Sequence, residues 1–154
     1  MSLNPYIYSQ HLIQKAEKET FKNIDSFCVM QKAAEACFNF IINNIIPIQR
    51  ILVMCGPGNN GGDGILIAKY MYNKQKDVTL YAPLGIGKTK DSRKALESLN
   101  SSTFIKQNVN FNDYDIIIDS VFGIGLNRPI TDELRNIIQN LNKAKSIIIS
   151  IDMP

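Results

Sequence analysis

The sequence is poor in several of the groups that most often announce a function. It has no tryptophan, one histidine and three cysteines in 154 residues. His11 sits in the first predicted helix, far in sequence from every glycine loop, with nothing to pair with, and reads as structural or solvated. Cys28, Cys37 and Cys55 are odd in number, lack metal-like spacing and lie in apolar stretches. They read as reduced core thiols and argue against a disulfide framework. A basic stripe is also missing: the net charge is only +3 and the lysines are scattered, which argues against nucleic acid as a partner. No apolar run is long enough to span a bilayer, and the opening MSLNPYIYSQ has neither the basic start nor the apolar centre of a secretory signal. A cytoplasmic protein with no membrane partner is therefore expected.

What is present is an ordinary globular mixture, 45% apolar and 20% charged, enough for one domain with a core. The first 45 residues have helical periodicity: one helix over 9–22, then a second capped by Asp25 or Ser26 with Val29, Met30, Ala33, Ala34, Cys37, Phe40 and Ile41 on its apolar face. The pattern then changes. Short continuous apolar runs at 51–55, 77–82, 115–119 and 146–152, with a minor one at 102–106, read as buried strands. Helices are predicted between them at 63–74, 90–100 and 130–141, the last capped by Thr131 or Asp132. This alternation implies an α/β fold: a Rossmann-like three-layer αβα sandwich with a mostly parallel sheet, preceded by N-terminal helices.

In such sheets ligands bind beyond the carboxyl ends of the strands. The first loop there, GPGNNGGDG (56–64), contains G-x-G-x-x-G at Gly56, Gly58 and Gly61. These glycines let the backbone approach a ligand, and the helix start offers free N–H groups. A dinucleotide fingerprint also wants an acid near the end of the second strand, to hold a ribose. That strand ends instead in Tyr81, Ala82 and Pro83. Asn59, Asn60 and Asp63 place amide and carboxylate oxygens in the loop, suited to a cation or to sugar and amide groups. The plainer alternative is a tight turn with Asp63 as helix cap. GIGKT (85–89) resembles the end of a Walker A loop, but Ala82 stands where its first glycine is needed, and Lys88 reads equally well as solvated.

The third loop follows DIIID. In DSVFGIGLNRP (119–129), Gly123 and Gly125 again permit close approach, and Arg128 is able to meet a phosphate bidentately. Asp119 and Asp152 both end buried strands at one rim. A carboxylate there must be paired, coordinated or solvated, so their convergence points to a cation site or an acid–base site.

Together CGPGNNGGDG, DSVFGIGLNRP and SIDMP, with SQHLIQKAEKE and MQKAAEA upstream, resemble the YjeF N-terminal domain family, the NAD(P)H-hydrate epimerases. The resemblance covers nearly the whole chain. It implies interconversion of the R and S forms of hydrated NADH or NADPH, a cofactor-repair step that feeds an ADP- or ATP-dependent dehydratase, sometimes a domain of the same chain. The substrate residues it implies are Asn59, Asn60, Gly61, Gly62 and Asp63, then Gly123, Ile124, Gly125, Leu126, Asn127, Arg128 and Pro129, and Asp152. It also implies a potassium ion on Asn60 and Asp119. By position Asp152 is the candidate acid–base group. A homodimer is expected. The family pattern continues with a serine and a glycine beyond Pro154, so residues 1–154 are expected to be one domain of this type, truncated at its C-terminal end. A non-catalytic binding module on the same fold, or a Walker-type phosphotransferase, are the alternatives.

Overall fold

The computed structural model describes residues 8–45, 50–99, 105–123 and 129–152. Two helices come first, α1 (Gln10–Thr20) and α2 (Ser26–Asn44). Strands and helices then alternate: β1 (Arg50–Cys55), α3 (Asn59–Asn73), β2 (Asp77–Tyr81), α4 (Lys90–Glu97), β3 (Ile105–Lys106), β4 (Ile116–Ser120), α5 (Asp132–Leu141) and β5 (Ile147–Ser150). A 3-10 turn at Phe111–Asp113 precedes β4. The five strands form one sheet in the order β3-β2-β1-β4-β5, and every neighbouring pair is parallel.

The period of two along each strand divides the core into two layers. Ile51, Val53 and Cys55 of β1 and Ile116 and Ile118 of β4 pack with Met30, Ala34 and Phe38 of α2, Ile65 and Ile67 of α3 and Ala95 of α4. Leu52, Met54 and Ile117 point to the opposite face and pack with Phe111 and with Leu134 and Leu141 of α5. Helices thus cover both faces, as continuous apolar strands require.

Local chemistry sets the helix starts. Asp25 caps α2 by accepting from the Phe27 N–H at 2.8 Å. Thr131 caps α5 through the Leu134 N–H at 3.4 Å. Thr89 and Ser92 form a reciprocal capping box on α4.

Four expectations need correction. The helix after the glycine loop starts at Asn59, not at 63, with Gly58 in the cap position, so Asp63 is not a cap. At Gly61 a β-carbon would lie 1.8 Å from the Gly56 carbonyl oxygen, so glycine there lets the first turn of α3 sit on the end of β1. On α2 it is Phe38 that is buried, while Phe40 is 52% exposed, since the core stripe runs Met30, Ala34, Phe38, Ile41. Cys28 is exposed; only Cys55 is fully buried, and burial pushes its thiol up to about 12. Ile147 and Ile148 of β5 are 55% and 39% exposed, because β5 is an edge strand with a single neighbour. Among the described residues no helix is long and apolar enough to cross a membrane.

Candidate active site

β1 has β2 on one side and β4 on the other, so the winding of the chain reverses between β1 and β4. A crevice opens at such a point beyond the strand ends. Here it is a cavity of about 680 Å³, within the usual range for small-molecule sites. Its floor and rim are Pro57, Gly58, Asn59, Asn60 and Asp63 at the start of α3, Val121, Phe122 and Gly123 after β4, and Asp152 after β5. The opposite wall comes from α1 (Ile13, Gln14, Glu17), from Phe21, and from α2 (Ser26, Val29, Met30, Ala33). Thr89 and Asp91 at the start of α4 complete it.

Asn60 is 7% exposed. Its Nδ2 lies 3.5 Å from the Ile151 carbonyl oxygen, and its Oδ1 is buried without a hydrogen-bond partner. An orphan oxygen in a cavity wall is a costly arrangement that a bound donor or cation relieves. Asp152 follows Ile151 in the left-handed backbone region, with φ of 68°. That turn places its Oδ2 against Gly123: a β-carbon on Gly123 would come within 2.8 Å of it and 3.2 Å of Asn60 Cβ. Glycine at 123 is what lets the β4 exit, Asn60 and Asp152 meet.

Asp63 is the most perturbed carboxyl of the wall. Burial, with the charges of Asp152 and Glu17 added, pushes it up to about 7. Desolvation also raises Asp152 above the ordinary aspartate value. Asp63 therefore keeps a proton available near neutrality, and Asp152 is shifted in the same direction. Asp119 is half-buried at the end of β4, and its Oδ1 accepts the N–H of Val121 at 3.0 Å. Its backbone oxygen takes the Ile151 N–H at 2.9 Å, which ties the β4 and β5 exits together.

Of the residues singled out from sequence, Asn59, Asn60, Asp63, Gly123 and Asp152 line one cavity. Gly61 and Gly62 are buried in the first turns of α3; where a side chain would stand, Gly62 meets the Met30 sulfur at 2.8 Å. Pro129 is exposed. Ile124, Gly125, Leu126, Asn127 and Arg128 lie outside the described residues. His11 is exposed on α1. The loop before α4 is not free: the Lys88 N–H donates to the Pro57 carbonyl at 2.9 Å and Thr89 Oγ1 to Asn59 Oδ1 at 2.6 Å, while the rest of Lys88 is exposed. Sequence reasoning missed the α1–α2 wall and the acid Asp91. The one local signal available was the Thr89–Ser92 spacing, which forms the cap where α4 begins.

Residues 26–154 match the family described as YjeF-related protein N-terminus. The chain belongs to that family. It is 35% identical over 153 residues to the bifunctional NAD(P)H-hydrate repair enzyme Nnr of Dictyoglomus turgidum, covering 94% of this chain and 29% of that protein. It is 35% identical over 136 residues to the NAD(P)H-hydrate epimerase of Oenococcus oeni, covering 85% of this chain and 64% of that protein. The chain thus spans less than two thirds of either relative. The crystal structure of the yeast protein ynu0, YNL200c, superposes with a TM-score of 0.82 at 20% identity, covering 97% of this chain and 70% of that one. That similarity is one of fold.

Proposed function

We propose that the chain is the epimerase part of a nicotinamide-cofactor repair system, interconverting the R and S forms of NADH or NADPH hydrated at C6 of the nicotinamide ring. The observation that carries this reading is the meeting of Asn60, Asp63 and Asp152 in one cavity at the sheet's switch point, with Asp63 pushed up to about 7. A relative named NAD(P)H-hydrate epimerase, and one named as a bifunctional NAD(P)H-hydrate repair enzyme, each share 35% identity with the chain.

Epimerisation breaks and remakes one C–O bond. The ring nitrogen's electron pair expels the C6 hydroxyl, which leaves as water once a carboxyl has protonated it. Water then adds to the other face of the iminium-like ring and returns a proton to a carboxylate. Asp152 and Asp63 are the acid–base pair, since both have raised affinities for a proton. No redox equivalent is consumed. The start of α3, capped by Gly58 with no side-chain cap bond, leaves N–H groups suited to a phosphate of the dinucleotide.

Asn60, through its unpartnered Oδ1, and Asp119, through its carboxylate, would hold a potassium ion, oxygen donors suited to a hard cation. When bound, it would supply a positive charge that organises the oxygen-rich site. Among the described residues no group of three or more His, Cys, Asp or Glu side chains is placed to hold a metal. The product partner is a dehydratase, separate or fused; the first relative above is named as bifunctional.

The test follows R-hydrate converting to S by chromatography. Turnover by the wild-type chain, lost by a hundredfold or more in Asp152→Ala and Asp63→Asn, supports the reading. No turnover with potassium present, or wild-type turnover in both variants, overturns it.

A further inference from the structure

Asp91 is a buried acid that neither the sequence fingerprint nor the chemistry above uses. It stands in the first turn of α4 and lines the cavity, at 7% exposure. One carboxylate oxygen, Oδ2, accepts the Ser26 hydroxyl at 2.5 Å. The other, Oδ1, is buried and has no hydrogen-bond partner. A purely structural role does not account for Oδ1. The start of α2 is already tied to α4 one turn further on, where Lys94 reaches Asp25 at 3.3 Å and lies over the Phe27 ring at 5.3 Å. A second buried oxygen left unsatisfied beside that junction only adds cost.

The placement of Asp91 answers a gap in the sequence. A dinucleotide fold of this winding holds a ribose with an acid from the end of the second strand, and β2 ends without one. The chain after β2 instead folds back over the glycine loop, pinned by the Lys88 N–H to Pro57 and by the Thr89 hydroxyl to Asn59. It so delivers an acid to the same cavity ten residues beyond Tyr81 (91 − 81). The Ser26 bond occupies Oδ2 and leaves Oδ1 with unused acceptor capacity in a residue that lines the cavity.

We propose that Asp91 is a substrate contact, accepting hydrogen bonds from the vicinal hydroxyls of a ribose, with Ser26 as its positioning residue. A carboxylate accepts from two adjacent hydroxyls and repels a phosphate, so the group it meets is the sugar and not the diphosphate. This rests on the nucleotide reading above.

The probes are reduced nicotinamide mononucleotide hydrated at C6, which has one ribose, and its 2′,3′-dideoxy counterpart. Affinity is read by calorimetry and R-to-S turnover by chromatography, for wild type, Asp91→Asn and Asp91→Ala. Thermal melts check folding. The expected result is a wild-type preference for the ribo probe of about tenfold or more. That preference falls to near unity in Asp91→Ala and is reduced in Asp91→Asn, while affinity for the dideoxy probe changes little. Equal losses for both probes, an unchanged preference in Asp91→Ala, or no wild-type preference would overturn the proposal. Binding with the expected preference but no turnover would sink the epimerase reading alone; turnover with an Asp91-independent preference would sink this one alone. Binding of neither probe by the wild type would overturn both.

Discussion

Asn60 and Ile151, 91 residues apart in sequence, meet through the Asn60 side-chain nitrogen and the Ile151 carbonyl at 3.5 Å. That contact joins the start of α3 to the exit of β5. It leaves the amide oxygen of Asn60 buried without a hydrogen-bond partner and sets Asp152, the next residue, in the same cavity lining.

Asn60→Ala should therefore separate function from stability. Removing an orphan oxygen relieves a desolvation cost of about 1–3 kcal/mol, while the lost Nδ2 bond is long and weak. The melting temperature should be unchanged or slightly raised, and turnover should drop by a hundredfold or more. Wild-type protein should melt higher as KCl replaces tetramethylammonium chloride, and Asn60→Ala should not. Thermal scans in the two salts, beside turnover assays, check this; an equal potassium response in the variant would remove Asn60 from the ion site.

Asp63 makes a prediction about pH. Its folded value, about 7, lies above the ordinary 3.8. Between those values the folded protein holds a proton that the unfolded chain has released. Stability from this group is thus full below pH 4, declines as pH rises through the window, and levels off above 7. Asp152 contributes with the same sign. Asp25 and Asp115, lowered by hydrogen bonds to the Phe27 and Arg50 N–H groups, contribute with the opposite sign. Comparison with Asp63→Asn isolates the Asp63 share: the variant should gain stability over wild type between pH 5 and pH 8. Denaturant melts at both values measure it, and a pH-independent difference would contradict the assignment.

Gly123→Ala should damage the site more than the fold. The new methyl would meet Asp152 Oδ2, the far end of a side chain on the cavity rim, at 2.8 Å and Asn60 Cβ at 3.2 Å. Displacing them by a few tenths of an ångström misaligns the acid and the amide. Turnover should fall tenfold or more with a stability change under about 1 kcal/mol, read by kinetics and calorimetric melts.

Gly61→Ala should behave in the opposite way. Alanine is favoured over glycine in a helix by about 1 kcal/mol. Here its β-carbon would stand 1.8 Å from the Gly56 carbonyl, backbone against backbone, where neither side has a flexible end to move. Overpacking of that kind outweighs propensity, and a net loss of about 2 kcal/mol or more is expected in denaturant melts. A stabilised variant would show that the start of α3 is not seated on β1 as described.

Much of the fold was legible from local signals. The apolar runs at 51–55 and 115–119 marked β1 and β4 because strands covered on both faces need no polar alternation. Asp25 or Ser26, and Thr131 or Asp132, marked two helix starts, and the structure selects Asp25 and Thr131 as the capping oxygens. The start of α3 was misplaced by four residues because Asn59, Asn60, Gly61 and Gly62 are poor helix formers, and only their seat on β1 makes them helical. The site was legible where it follows strand ends, as at Asn60, Asp63 and Asp152. It was illegible where a helix swings over it, as at Glu17, Ser26 and Asp91, since no spacing in the sequence reports which helix faces close a cavity.

Residue type and order alone determined the alternation of strand and helix, the glycines at the first βα turn and the oxygen-rich character of the loops, because these depend on backbone sterics and on periods of two and 3.6. The tertiary structure alone decided that β1 lies between β2 and β4, that Asp91 comes to rest beside the glycine loop, and that Asp63 holds its proton to about 7. Those outcomes come from burial and from charges brought close across the chain, and neither exists until the sheet is assembled.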